Sequence, residues 1–274
     1  MASSALRLSP PFITVVVPAL NEELALGHCL ESLIAQECAF TYEIIVVDNG
    51  SVDCTAEVAH RYGARVVYEK RRGVGWARAS GFANARGTII ASTDADTVVP
   101  RDWLARFAQI FQKHLEVVGV GGRFIYVDGP VGVRLLGRLA NYMTPLIVRM
   151  APWFWSFSGF NFAVRREAYL ASGGFRNDLM YGEDWDLGKR LCRLGRVVVD
   201  SGSWVKTSGK ASERDTLCIR RVINYFSLVF WGHTYLRPIM RKSGLFGEDD
   251  ADTRNHAAIN RPSNTRNKGK AKLL

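Results

Sequence analysis

Four short apolar runs recur in the first hundred residues, each followed by a segment with helical spacing. The runs are ITVVV (13–17), EIIVVD (43–48), ARVVYE (64–69) and TIIAST (88–93). Between them, NEELALGHCLESLIAQ (21–36) carries Leu26, Cys29, Leu30, Leu33 and Ile34 as on one helical face. Asn21 is the expected N-cap there, with Glu22 and Glu23 in the first turn. DCTAEVAHRYG (53–63) reads as a short helix stopped by Gly63, and GVGWARASGFANARG (73–87) as helical despite its glycines. PRDWLARFAQIFQKH (100–114) starts a helix at a proline. Strand and helix alternating four times predict an α/β fold, a mostly parallel sheet flanked by helices on both faces.

Ligands in such sheets bind beyond the carboxyl ends of the strands. Three polar clusters fall there: PALNEE (18–23), DNGSVD (48–53) and TDADT (93–97). Asp94 and Asp96 sit two apart at the end of a buried run, so on a strand they would face the same side and repel. Asp is common in turns and helix caps, but a divalent cation resolves the repulsion. Mg²⁺ takes one or two carboxylates together with substrate phosphates. The triplet also matches the D-x-D-x-[TV] signature of haloacid-dehalogenase-like phosphatases, which lies on the first strand of the core. Here three strand–helix units precede it. Gly73-Val74-Gly75-Trp76-Ala77-Arg78 begins like a dinucleotide fingerprint but has Arg78 in place of the third glycine, so a nicotinamide site is disfavoured. Arg78 there reads equally as a phosphate contact or a surface residue. Gly182-Glu183-Asp184-Trp185-Asp186 places three acids in four positions at a helix start. They complement the helix dipole, and an ionised carboxylate is what a general base requires.

The second half is less regular. VVGVGGRFIYV (117–127) reads as a strand, residues 131–155 as one or two helices broken at Pro145 and Pro152, and 157–175 as a strand, a short helix and a Gly-rich stop. GEDWDLGKRLCRLG (182–195) is a helix with Leu187, Leu191 and Leu194 on one side, and 214–236 another apolar helix. From Gly247 the chain turns acidic, then basic and poor in apolar groups, a tail predicted to be disordered. Five cysteines, at 29, 38, 54, 192 and 218, include no C-x-x-C pair. That argues against a zinc or disulfide framework and for reduced thiols in a cytosol. MASSALRLSPPF lacks the apolar core of a signal peptide. The formal net charge of +10 suits a polyanion, an anionic membrane surface or a phosphorylated substrate.

Taken in order, VVVPALNEE (15–23), IIVVDNGSVDCT (44–55), RGVGWARASG (72–81), TDAD (93–96), FNFAVRREAYLASGGF (160–175) and GEDWDLGKRL (182–191) resemble family 2 of the glycosyltransferases. The resemblance covers residues 13 to 209. It implies a GT-A fold: a Rossmann-like, mostly parallel sheet. It also implies an inverting transfer from a nucleotide-diphosphate sugar. Pro18, Ala19, Asn21, Glu22 and Asp48 would then bind the base and ribose, with Arg78 and Ala95 also at the donor. Asp94 would lie near the ribose, and Asp96, with Asp94, would hold Mn²⁺ or Mg²⁺ at the diphosphate. The acid pair Glu183-Asp184 would supply the catalytic base, Asp184 being the better match.

Two departures from the family matter. The Q-x-x-R-W motif of processive synthases does not occur, which implies single transfers. Where some members place a metal-ligating His, this chain reads SWVKTSGKAS (203–212), and a protonated Lys206 cannot ligate; it or Lys210 would instead contact a phosphate. Competing readings are a nucleotidyltransferase, disfavoured because PALNEE has no glycine, and a non-catalytic membrane-associated protein. The expected organisation is a flexible N-terminus (1–11), a GT-A catalytic domain (12–210) with a nucleotide-binding half (12–100) and an acceptor half (101–210), a helical extension (211–246) and a disordered charged tail (247–274). Residues 217–232 combine Arg220 and Arg221 with apolar and aromatic groups and read equally as a packed helix or an interfacial one. The expected location is cytoplasmic, with peripheral attachment at the membrane face. A lipid-linked or hydrophobic acceptor would suit it. No nucleic acid partner is expected.

Overall fold

The computed structural model describes residues 11–150, 157–176, 179 and 182–209. Four strands come from the four apolar runs: β1 (Ile13–Ala19), β2 (Tyr42–Asp48), β3 (Arg65–Tyr68) and β4 (Ile89–Ser92). They are joined by α1 (Leu26–Ile34), α2 (Thr55–Arg61) and α3 (Val74–Asn84), and α4 (Trp103–Lys113) follows β4. The second half adds β5 (Val117–Tyr126), α5 (Val131–Met150), β6 (Phe162–Arg165), α6 (Arg166–Ala171), α7 (Glu183–Leu191) and β7 (Arg196–Thr207). One seven-stranded sheet results, in the order β3-β2-β1-β4-β6-β5-β7. Only β6 among these strands runs antiparallel to both of its neighbours.

Both faces of the sheet are covered, which is why the strands read as unbroken apolar runs rather than as alternation. Val15 and Val17 pack with Leu26, Leu30 and Leu33 of α1 and Trp103 and Phe107 of α4. Val16, between them, faces the other way, into a layer with Ala77 and Phe82 of α3, Tyr169 of α6 and Leu187 of α7. A buried amide ties α4 to β5 and β7. Asn161, fully buried, accepts the Trp103 indole N–H at 2.8 Å and donates to the Arg123 and Ser203 carbonyls.

Several local expectations are corrected. Asn21 does not cap α1: the helix begins at Leu26 with Ala25 at the cap, and no acid lies in its first turn. Asn21 instead takes a left-handed conformation, φ 56°, in the loop before it. Pro100 stands a turn ahead of α4, whose cap is Asp102. Pro145 does not break α5, which runs unbroken for 20 residues. Proline removes one N–H from the helix ladder; the Thr144 hydroxyl beside it donates to the Ala140 carbonyl at 2.8 Å. Leu194 lies past the end of α7 and is largely exposed, while Leu187 and Leu191 are buried. The helix expected at 214–236, the segment 217–232, Lys210, Pro152 and the tail from Gly247 lie outside the described residues.

Candidate functional site

The carboxyl ends of β1, β2 and β4 meet at one edge of the sheet. Ala19 pairs with Asp48 across β1 and β2, and the Thr93 N–H donates to the Val16 carbonyl. Asp48, nearly buried, accepts the Ser51 N–H at 2.8 Å. Asn21 locks the first two loops together: its N–H donates to the Ser51 hydroxyl at 3.0 Å and its side-chain oxygen accepts the Val52 N–H at 2.9 Å. The Glu22 N–H donates to the Thr55 hydroxyl at 2.8 Å. Asn49 extends the seam toward α3, donating to the Glu69 and Arg71 carbonyls and accepting the Gly73 N–H. Pro18 and Ala19 are buried in strand β1. Of the residues expected at the base and ribose, all five therefore cluster at this rim. Asn21 is engaged in holding it.

Arg78 is not a surface arginine. It lies in the second turn of α3 with its side chain 5% exposed. One terminal nitrogen donates to Asp94 Oδ1 at 2.7 Å. The other donates to Glu183 Oε1, whose side chain is 4% exposed at the start of α7. Burial alone would lower the guanidinium's pKa, but the carboxylates of Asp94, Glu183 and Asp184 outweigh it and hold the pKa above the ordinary arginine value. Gly159 lies against this guanidinium so closely that a Cβ there would overlap it. One buried cation thus joins the acid at the end of β4 to the acid at the start of α7.

The remaining acids divide sharply. Asp186 is held by Arg190 at 2.7 Å and by Arg176 at 3.6 Å. Asp184, between Glu183 and Trp185, has no arginine ion pair among the described residues; its Oδ1 accepts the Trp185 N–H at 2.9 Å. Burial and the neighbouring Glu183 carboxylate push its pKa up to about 7. Asp96 is raised to about 6 by burial and by Asp94. Its carboxylate accepts the Thr207 hydroxyl from the end of β7 at 3.2 Å, and the Thr97 hydroxyl donates to Thr207 at 2.9 Å. Ala95 turns its methyl into the core. Beneath the triplet, the buried Cys29 thiol donates to the Asp94 carbonyl at 3.4 Å, and burial pushes its pKa up, so it is held protonated. Lys206 is exposed and bridges Val98 through its backbone alone, so β7 offers Asp96 a threonine hydroxyl rather than an ammonium.

Asn49, Gly159 and Thr207 belong to this rim although the sequence reading did not single them out. Asn49 had a signal, since it directly follows Asp48. Thr207, 111 residues from Asp96 along the chain, had none. The donor set fits a hard divalent cation. Two aspartates face one edge, one of them raised in pKa as an uncompensated carboxylate would be. Among the described residues no group of three His, Cys, Asp or Glu could hold a metal. A cation there would need further oxygens from a substrate, as Mg²⁺ and Mn²⁺ do with phosphates.

The glycosyl transferase family 2 model matches residues 14–172. Glycosyltransferase AglE of Haloferax volcanii is 27% identical over 193 residues, 68% of this chain and 62% of that protein. Succinoglycan biosynthesis protein ExoO of Rhizobium meliloti is 33% identical over 207 residues, 69% of this chain and 58% of that protein. The chain thus spans about 60% of the length of these two relatives. Among solved structures, the mannosyltransferase PcManGT from Pyrobaculum calidifontis, in complex with GDP-Man and Mn²⁺, superposes with a TM-score of 0.61 at 23% identity. That match covers 86% of this chain and 71% of the other. It shows the same fold, with a seven-stranded mixed sheet here.

Proposed function

The chain belongs to glycosyl transferase family 2, and from that premise we propose that it moves a sugar from a nucleotide-diphosphate donor to an acceptor hydroxyl in a single inverting, metal-assisted step. The observation that carries the reading is the division of labour among the acids: Glu183 and Asp94 are paired with Arg78, while Asp184 has no direct ion pair among the described residues and is raised to about 7 by burial and Glu183, against a partial opposing pull from Arg78. A carboxyl with a pKa near 7 is suited to take a proton at working pH.

In this reading the rim of Pro18, Ala19, Asn21, Glu22 and Asp48 holds the base and ribose. Asp96, with Asp94, would hold Mn²⁺ or Mg²⁺, which would offset the charge that grows on the departing diphosphate. Asp184 accepts the proton of the acceptor hydroxyl. The acceptor oxygen forms its bond to the anomeric carbon from the face opposite the nucleotide. The bond from that carbon to the diphosphate oxygen breaks, and its electron pair leaves with the nucleoside diphosphate. Glu183 and Arg78 act through Asp184 and Asp94 and are positioning residues. Both terminal nitrogens of Arg78 are engaged by carboxylates, so a role on a donor phosphate would require one of those pairs to open.

The test is a binding and turnover screen of nucleotide sugars with and without Mn²⁺. Asp96→Asn is expected to lose the metal-dependent part of nucleoside diphosphate binding. Asp184→Asn is expected to keep donor binding while turnover falls about 10²–10⁴-fold. Metal-dependent binding in the Asp96 variant equal to wild type, or near-normal turnover in the Asp184 variant, would overturn the assignment of that residue. Release of pyrophosphate instead of nucleoside diphosphate would overturn the reaction class.

A further inference from the structure

Helix α5 is amphipathic in the wrong sense for a helix packed on a soluble domain. Among the described residues, the buried positions of the helix are the small or polar Gly137, Asn141 and Thr144. Gly137 lies against the Tyr126 ring, where a Cβ would come within 2.8 Å. Asn141, 4% exposed, donates to the Phe124 and Gly137 carbonyls and accepts the Phe124 N–H at 3.0 Å. Thr144 is buried beside them. Its outward face is apolar. Val131, Leu135, Leu139, Tyr142, Leu146 and Met150 are exposed, from 51% at Leu146 to 82% at Tyr142. At 3.6 residues per turn these six lie within an arc of about 100°. They form one continuous stripe rather than the scattered apolar groups that any surface carries.

Three arginines, Arg134, Arg138 and Arg149, are exposed and follow one edge of that stripe. The helix contains no Asp or Glu. At its amino end Val131, Arg134, Leu135 and Arg138 lie side by side, so cationic and apolar groups share one patch. A surface helix usually turns its apolar stripe to the core and its charges outward. Here the buried positions among the described residues are a glycine, an asparagine and a threonine, and five apolar side chains and a tyrosine face out beside a row of arginines. Among the described residues no helix is long and apolar enough to cross a membrane.

We propose that the outward face of α5 is an interfacial surface that lies on an anionic lipid bilayer, its apolar stripe in the headgroup boundary and Arg134, Arg138 and Arg149 on the lipid phosphates. Charge complementarity selects this occupant over a second copy of the chain. A symmetric contact between two α5 helices would bring like-charged arginine rows together, with no acid on the helix to pair them. The net charge of +10 also favours an anionic surface. An apolar stripe flanked by arginines has the composition of a helix that lies in the interface plane. This inference does not depend on the reaction assigned above.

The experiment is co-sedimentation of the full chain with phosphatidylcholine vesicles, with and without phosphatidylglycerol, at low and high salt. Wild type is expected to bind the anionic vesicles at low salt, to bind them less at high salt, and to bind neutral vesicles weakly. Leu135→Glu with Leu139→Glu should weaken binding at least about tenfold at either salt, because two side chains lose their apolar transfer. Arg134→Gln with Arg138→Gln should weaken it roughly tenfold at low salt only. All four positions are exposed, so circular dichroism and Mn²⁺-dependent nucleoside diphosphate binding should stay at wild-type values. Equal absence of wild type from both vesicle types at low salt overturns the proposal, and so does unchanged binding by the leucine variant. A concentration-dependent dimer that the leucine variant dissolves, without vesicle binding, would assign the face to a second copy instead.

Discussion

Arg78 shows what a single residue does to the chemistry around it. The guanidinium, nearly sealed from solvent, has one carboxylate from the end of β4 and another from the start of α7 on its two terminal nitrogens. Removing the cation strands a buried Glu183, and breaking a buried pair costs about 3–5 kcal/mol. Arg78→Met is therefore expected to lower the melting temperature by on the order of 10 °C. Arg78→Lys places one point charge where a fork reached two acids, so it should restore part of the stability but little of the turnover. The thermal melt and the split between kcat and KM distinguish the outcomes. A methionine variant that melts like wild type would show that the bridge holds nothing. The sequence places Arg78 after a Gly-rich turn and leaves it divided between a phosphate contact and the surface. Its partners lie 16 and 105 residues away, and only the fold brings them to it. Asp94, Asp96, Glu183 and Asp184 can be singled out from sequence because each sits at a strand or helix end, a position set by local pattern.

Elements are legible where one face or both faces of a segment must be apolar over its whole length. β1 and β4 are buried along their whole length and β2 over its second half, so their runs are continuous, and each is readable to within a few residues. The start of α1 is not legible in this way, because Asn21, a good cap by type, has its oxygen on the Val52 N–H of the neighbouring loop; a long-range bond replaces a local one. β6 runs antiparallel between two strands of the sheet, and nothing in FAVR encodes that direction. Pro145 predicts a break in α5 only when it is weighed alone. The helix is anchored instead by the Asn141 amide, which satisfies both the N–H and the carbonyl of Phe124. Asn141→Ala leaves those buried backbone groups without a partner, at about 1–3 kcal/mol each. The variant should melt several degrees lower, and proteolysis should begin at 131–150 before the rest of the sheet opens. Cleavage elsewhere first, with an unchanged melt, would mean that α5 is held by other contacts.

Across the whole molecule, the site works against the fold, and pH exposes the conflict. Asp184 has an ordinary value of 3.8 when unfolded and is raised to about 7 in the folded chain by burial and by Glu183. The folded state therefore binds this proton more tightly than the unfolded state does. Its contribution to stability is fully present below about 4 and is lost as pH rises through about 7. Other carboxylates oppose this trend: Glu43 and Glu69 are lowered in the folded chain, Glu69 chiefly by its hydrogen bond from Arg71. Their contribution is present above the ordinary range and lost on acidification. A pH–stability curve of wild type sums both signs, so the informative quantity is a difference. The side-chain amide that Asp184→Asn introduces is neutral at every pH and resembles the protonated acid. The variant and wild type should melt together below about pH 4, and the variant should melt progressively higher as pH rises from there to about 7, with little further change above it. Turnover by wild type should rise as pH passes through about 7, at the upper end of that interval, because a base must be ionised to accept a proton. The group that carries the reaction is thus the group whose ionisation the fold resists, a trade between stability and activity at one carboxyl. Melts at half-unit pH intervals on both proteins, with donor turnover on wild type, measure the two curves together. A melting difference that stays constant from pH 5 to 8 would mean that Asp184 is already ionised throughout, and the rise in turnover would then have to come from another group.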